Sequence, residues 1–201
     1  MNEREPSPEE RIILATIDAI EAEGISNVTT RSIAARAGAN SAAINYYFRS
    51  KDNLLTRVLD FTLDNAFGDL DEFLPDGSIL DTQPLKAYYR HMIWGMRTYP
   101  GICRAHFYEP LVNRSFSTAA IERLNDFLET IYAKLMPSCR DDSGETLRLA
   151  LVQLQSSVLM SGLAPEAFAP FVGDQLSSQE QLDAYVDQLV DALIGPFLTA
   201  T

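Results

Sequence analysis

Cysteine, histidine and long apolar runs are all scarce in this chain. Two cysteines in 201 residues, Cys103 and Cys139, cannot build a disulfide framework, and neither belongs to a CxxC pair. Both are expected as reduced thiols filling small apolar spaces. The two histidines, His91 and His106, have no ligand spacing around them, so no metal site is expected. No apolar run approaches the length that spans a bilayer, and the opening Met1-Asn2-Glu3-Arg4-Glu5 holds no apolar signal core. The expectation is a soluble, cytoplasmic protein with no membrane partner. Nucleophile elbow, HExxH, P-loop and dinucleotide fingerprint are missing as well. Neither enzymatic activity, catalytic residues nor a cofactor is therefore expected.

Basic residues are few. Sixteen Lys and Arg face 28 Asp and Glu, for a net charge of −12, an unpromising total for a partner as anionic as nucleic acid. The deficit is not uniform. Between Ser26 and Leu59 stand Arg31, Arg36, Arg49, Lys51 and Arg57 against the single acid Asp52. From Asp60 onward, 20 acids outnumber 9 bases. A locally basic tip on an acidic body can touch DNA while the body stays clear of it.

Alternating β-branched runs are absent, so strands are not expected, and helical spacing dominates instead. Ser7, Pro8 and Glu10 form a complete helix start, followed by isoleucines at 13, 17 and 20 and a stop at Gly24, predicting a helix over 8–23. Thr29 or Thr30 caps a short segment to Ala37, ended by Gly38. Asn40 or Ser41 starts a third helix that ends near Phe48. Two helices of about two turns joined through a glycine make a helix-turn-helix pattern. A fourth helix is predicted over about 50–74, with Leu55, Leu59, Thr62, Ala66, Leu70 and Phe73 on one stripe and Pro75-Asp76-Gly77 as its stop. Further helices are predicted over about 83–98, 100–113, 116–136, 144–163 and 178–198. The fold class is all-α with about nine helices.

Residues Val28 to Leu54 read VTTRSIAARAGANSAAINYYFRSKDNL. Thr29, Ile33, Ala34, Ala37, Gly38, Ile44, Tyr47, Phe48, Ser50, Lys51 and Leu54 follow the pattern T-x-x-x-I-A-x-x-A-G-V-S-x-x-x-(L/I)-Y-x-(Y/H)-F-x-S-K-x-x-L. In this the chain resembles the TetR family of bacterial transcription regulators. It departs at Ala39, Asn40 and Asn45, where the pattern has Val, Ser and Tyr. The resemblance implies a helix-turn-helix DNA-binding domain over 1–51 and a ligand-sensing and dimerisation domain over 52–201.

In the reading head, Ile33, Ala34, Ala37, Ile44 and Phe48 are expected to hold the two short helices together. Thr30 and Arg31 open the second helix, where unpaired N–H groups and the positive dipole end suit a phosphate. The resemblance implies that Tyr47 and Lys51 grip the DNA backbone. The third helix enters the major groove and exposes Asn40, Ser41, Ala42, Ala43, Asn45 and Tyr46. An amide pairs bidentately with adenine, and alanine methyls meet thymine methyls. With no Arg or Lys, this helix lacks the commonest guanine contact, so readout leaning to A·T is expected.

For the body, the resemblance implies a small-molecule effector and a homodimer. Expected ligand contacts are Tyr88, His91, Met92, Trp94, Arg97, His106, Phe107, Phe127, Gln153 and Met160, an aromatic and Met-rich set at helical spacing. The segment Leu147–Leu163 is apolar nearly all round, and 178–198 carries a broad apolar stripe opposite Asp183, Asp187 and Asp191, which are expected to face solvent. Leu151, Leu154, Val158, Leu182, Val186, Leu189 and Leu193 are therefore expected at the dimer interface. The function expected is a repressor that a ligand releases from a palindromic operator. The alternative is a DNA-binding regulator without a small-molecule ligand, controlled by a protein partner or constitutive.

Overall fold

Capping chemistry sets the first three helices in the computed structural model, which describes residues 5–68, 70–74, 77, 79, 81–139 and 144–198. Helix α1 (Pro8–Glu23) starts in a reciprocal capping box between Ser7 and Glu10 and stops at Gly24, whose φ is 76°. Helix α2 (Thr30–Ala37) is capped by Thr29, with Ser32 closing the box, and ends at Gly38 in the left-handed region. Helix α3 (Ser41–Phe48) is capped by Asn40. Beyond these come α4 (Lys51–Gly68), α5 (Leu70–Phe73), α6 (Gln83–Thr98), α7 (Pro100–His106), α8 (Tyr108–Val112), α9 (Ala119–Leu135), α10 (Gly144–Leu163), α11 (Ala169–Val172) and α12 (Gln179–Leu193).

The described residues hold no strand, only a bridge between Cys139 and Leu198, so the fold is all-α. Two expected helices are subdivided. The fourth ends at Gly68 before the short α5, and 100–113 breaks at Phe107 into α7 and α8. The expected stop at Pro75-Asp76 lies outside the described residues. No described helix is long and apolar enough to cross a membrane, and no cluster of potential metal ligands occurs among the described residues.

Two compact units emerge: Met1–Asn65 with Tyr99–Ala120, and Ala66–Thr98 with Ile121–Thr201. The first is organised around Ile12, Ile20, Val28, Ile33, Ala34, Ile44, Phe48, Leu54 and Val58, with Ile102 and Ala105 of α7 in the same cluster. Burying one such Ile or Leu stabilises the fold by about 1.5–3 kcal/mol. The expected α4 stripe is shifted by one row. Leu54, Val58 and Leu63 are buried, whereas Leu55, Leu59 and Thr62 are half-buried and Ala66 is exposed.

Helix α7 enters this cluster under a specific constraint. Tyr99 supplies no side-chain cap, and the Glu21 carboxylate of α1 instead accepts the backbone N–H groups of Gly101 and Ile102, each at 2.8 Å. A carboxylate suits the positive end of a helix. Only glycine fits at 101, since a Cβ there would lie 2.7 Å from Glu21 Cα.

The second unit packs α6 against α10 and α12. Tyr88, Tyr89 and Ile93 of α6, Phe127 and Ile131 of α9, Leu151, Leu154 and Val158 of α10, and Leu182, Val186 and Val190 of α12 are buried. Of the acids expected to face solvent, Asp191 is exposed and Asp187 half-buried, and both are engaged in ion pairs. Lys86 Nζ donates to Asp191 at 2.7 Å, Thr82 donates to the same carboxylate at 2.9 Å, and Arg90 makes a two-pronged pair with Asp187. One-turn spacing of cations on α6 meets one-turn spacing of acids on an antiparallel α12. The stripe opposite the apolar face is thus a second packing surface, held by charge. Gln179 donates to Asp183 at 2.8 Å.

Candidate nucleic-acid interface

Helix α3 is anchored by two side chains one turn apart. Ile44 and Phe48 are buried, which turns Ser41, Ala42, Asn45, Tyr46 and Tyr47 outward and leaves Ala43 half-covered. Tyr46 is 72% exposed and Tyr47 39%, and their rings meet edge to face with centroids 5.0 Å apart. The exposed face is therefore small at its start and aromatic at its end, with one amide between.

The two asparagines have different environments. Asn40 Oδ1 accepts the Ala43 N–H at 2.9 Å, so its acceptor serves the helix start. A bidentate contact to adenine needs that oxygen as well as the NH2 group. Asn45 has no such commitment among the described residues and is exposed on the second turn.

Lys51 does more than sit at a helix start. Its Nζ donates to the Val28 carbonyl at 3.0 Å, tying the first turn of α4 to the residue just before the Thr29 cap of α2. Two helix N-termini are drawn together, with Arg31 exposed and Thr30 half-buried in the first turn of α2. The ammonium keeps two further donors. Ser50 Oγ accepts the Asn53 N–H at 3.1 Å and caps α4.

The basic surplus is smaller than the sequence suggests, because Arg36 pairs with Glu23 at 3.1 Å. Arg31, Arg49 and Arg57 are exposed. Arg49 belongs to the basic tip but not to the expected DNA contacts. It ends α3 at φ 69°, with its N–H bonded to the Asn45 carbonyl, and so displays a guanidinium in the turn between Tyr47 and Lys51. A non-glycine residue at positive φ is uncommon, and no composition rule foretells it.

The ten expected ligand contacts fall in both units. His106 and Phe107 belong to the first unit, the other eight to the second. His106 is bonded to Thr62 Oγ1 at 3.0 Å, and burial pushes its pKa down to about 4. Tyr88 and Phe127 are buried in an aromatic cluster, with ring centroids 5.1 Å apart. Half-buried His91 stacks on Trp94, itself half-exposed, while Arg97 donates to the Leu176 and Ser177 carbonyls. Gln153 and Met160 lie exposed on α10, where apolar composition concealed which side turns outward. Met92 is half-buried and accepts Gln155 Nε2 at 3.7 Å.

The expected dimer residues need a similar correction. Leu151, Leu154, Val158, Leu182 and Val186 are buried within the protomer, because the widest apolar faces of α10 and α12 pack on α6 and on each other. Leu189 and Leu193 are half-buried. Outward on α10 are Leu149 (64% exposed), Val152 and Met160. On α12, Ala184, Gln188 and Ala192 are exposed. Both cysteines are half-buried thiols, and burial pushes Cys103 up to about 12, far from thiolate chemistry.

Residues 12–58 match the family described as bacterial regulatory proteins, tetR family. The HTH-type transcriptional regulator BetI of Klebsiella pneumoniae (strain 342) is 38% identical over 77 residues, which are 37% of this chain and 40% of that relative. The matched stretch thus spans well under half the length of this curated relative. A crystal structure of a transcriptional regulator from Rhodococcus sp. Rha1 superposes with a TM-score of 0.72 over 98% of this chain and all of that one, at 18% identity. A structure assigned to the TetR family of transcriptional regulators, from Mesorhizobium loti MAFF303099, gives 0.70 over 96% and 97% of the two chains at 20% identity. At such identities the superpositions establish the fold.

Proposed function

We propose that this chain is a regulator of the TetR family, whose pattern residues 12–58 match, and that it acts as a homodimeric repressor, released from a palindromic operator by a small molecule. One observation carries the DNA-binding part. Ile44 and Phe48 lock α3 so that a face of alanines, one uncommitted amide and two tyrosines is displayed, flanked by Arg31, Arg49 and Lys51. Residues 1–51 are the reading head and 52–201 the regulatory part.

In this reading α3 lies in the major groove. Asn45 is the base reader, aimed at adenine; Ala42 and Ala43 meet thymine methyls. Asn40 and Ser41 flank the groove entrance, and Asn40 acts mainly as the cap that orients α3. The joined N-termini of α2 and α4 hold phosphates through Thr30, Arg31 and Lys51, aided by the Tyr47 hydroxyl and by Arg49. Tyr46 covers the neighbouring sugar and base edges.

The homodimer forms on the outward faces of α10 and α12, through Leu149, Val152, Met160, Ala184, Gln188 and Ala192. Two reading heads in fixed register then require a palindrome. Helix α4 runs on from the reading head past Asn65, so a ligand that shifts its far end changes the spacing of the recognition helices. Release follows as a population shift.

Selection of random duplexes on the purified protein should return an inverted repeat with A·T pairs under Asn45. Asn45→Ala should relax one or two positions in each half-site, each worth about 1–3 kcal/mol. An unchanged motif removes Asn45 as a base reader. The burial of Tyr88 and Phe127 in a packed aromatic cluster favours a second reading, a regulator with no small-molecule ligand; the buried polar groups discussed next favour the first.

A further inference from the structure

Two buried polar atoms in the second unit lack partners. Tyr89 is 0% exposed and Gln155 3% exposed, and neither Tyr89 Oη nor Gln155 Oε1 has a hydrogen-bonding partner among the described residues. They stand on α6 and α10, which pack against each other. Gln155 reaches Met92, one turn along α6 from Tyr89, and that contact, amide nitrogen to thioether at 3.7 Å, is a weak one. Burying an unmet donor or acceptor opposes folding, so two on facing helices call for an explanation.

We infer that Tyr89 and Gln155 form the recognition pair of an effector site that takes an uncharged, flat, largely apolar molecule carrying a hydrogen-bond acceptor next to a donor, such as an amide or lactam. This inference rests on the ligand-released reading above. Tyr89 supplies the donor, and burial raises its pKa so that the hydroxyl keeps its proton. Gln155 Oε1 supplies the acceptor. The surroundings are aromatic: the Tyr89 ring lies 5.8 Å from Tyr88 and 6.1 Å from Phe127, both edge to face, an apolar lining that suits a planar guest.

Charge is excluded by the surroundings. The cations of α6 are committed, Lys86 to Asp191, Arg90 to Asp187 and Arg97 to the Leu176 and Ser177 carbonyls, and no carboxylate is buried among the described residues. Space comes from Met92, whose unbranched half-buried side chain swings aside more readily than a branched or aromatic one. At the next turns of α6 such opening is barred. Gly162 of α10 sits against Met96 and Ile93, where even a Cβ would approach Met96 Cε to 2.8 Å. The site therefore opens at the Met92 end.

The test uses the full-length protein with three bicyclic probes of similar size: quinolin-2(1H)-one, naphthalene and 2-naphthoate. Calorimetry should show the quinolinone binding at least about tenfold more tightly than naphthalene, with no heat from 2-naphthoate. Tyr89→Phe and Gln155→Leu should each weaken the quinolinone about tenfold or more, the effect of one lost buried hydrogen bond. Both should leave the melting temperature of the ligand-free protein unchanged or raised, because each removes an orphaned group. A fall in that temperature shows the polar atoms to be structural and overturns the site. So does preference for 2-naphthoate, absence of quinolinone binding, or binding indifferent to both substitutions. If the quinolinone binds as expected yet leaves operator affinity unaltered, the site stands and the ligand-released reading fails. A molecule that releases operator while ignoring both substitutions overturns the site alone.

Discussion

His106 is held neutral inside the first unit, and its acid sensitivity can be worked out in full. Thr62 Oγ1 lies within 3.0 Å of the Val58 and Leu59 carbonyls of its own helix, so its hydrogen is directed there and the imidazole Nε2–H is the donor to it. Protonating the ring would place a cation in a buried site, and burial lowers its pKa from 6.5 to about 4. A folded pKa below the unfolded one means that the unfolded chain binds the proton more readily. Stability from this group is complete above pH 6.5 and is lost as pH falls from there toward 4. The full difference corresponds to about 3 kcal/mol, of which about 2 kcal/mol is already gone at pH 5. His106→Gln keeps an amide donor for Thr62 and cannot titrate. Urea unfolding followed by circular dichroism at pH 7.5 and pH 5 should therefore show the wild-type protein losing about 2 kcal/mol more than the variant over that interval. Equal losses in both proteins would refute the reasoning, as would an NMR titration placing the His106 ring near pH 6.5.

Other expectations follow from packing and charge. Gly101→Ala forces a methyl into the Glu21 backbone and should cost about 2 kcal/mol, lowering the melting temperature by about 4–8 °C for a chain of this size; an unchanged value would mean that α7 moves aside at little cost. Leu149→Asp should convert the dimer to monomer by analytical ultracentrifugation at micromolar concentration while the helical signal persists. Leu154→Ala, buried in the protomer, should instead destabilise the fold by about 3 kcal/mol without changing oligomeric state at low temperature. Removing Arg31 with Ala should weaken binding uniformly across operators and reduce the slope of log affinity against log salt by about 1; a sequence-dependent loss would mark Arg31 as a base reader instead.

Much of this molecule was legible in its sequence, and the parts that were not share a cause. The limits of α1, α2 and α3 follow from short-range chemistry: Ser7 with Glu10, Thr29 before Gly38, Asn40 before an apolar pair one turn apart. Direction was harder to read than boundary. Leu54 and Leu55 are equally apolar, so only the packed unit decides that the row through Leu54 and Val58 turns inward. Along α10 apolar residues occur on every side, and nothing local marks Leu149 as exposed and Leu151 as core. The ion pairs of Asp187 and Asp191 were hidden because their cations, Arg90 and Lys86, lie about a hundred residues earlier in the chain. At the candidate interface, the outward face of α3 could be derived, but the commitment of the Asn40 oxygen to its own helix and the left-handed turn at Arg49 could not.

The first unit is made from two pieces of chain, and this bears on how such a protein can be cut, joined or made. Ile102 and Ala105 share the apolar cluster of Ile20 and Val58, yet they follow only after Ala66–Thr98, which belongs to the other unit. A fragment trimmed at Lys51 would display that apolar surface to water, and a chimera spliced there would inherit a reading head with one wall missing. On the ribosome the same head waits, incomplete, until α7 has emerged and the carboxylate of Glu21 has found its two amides.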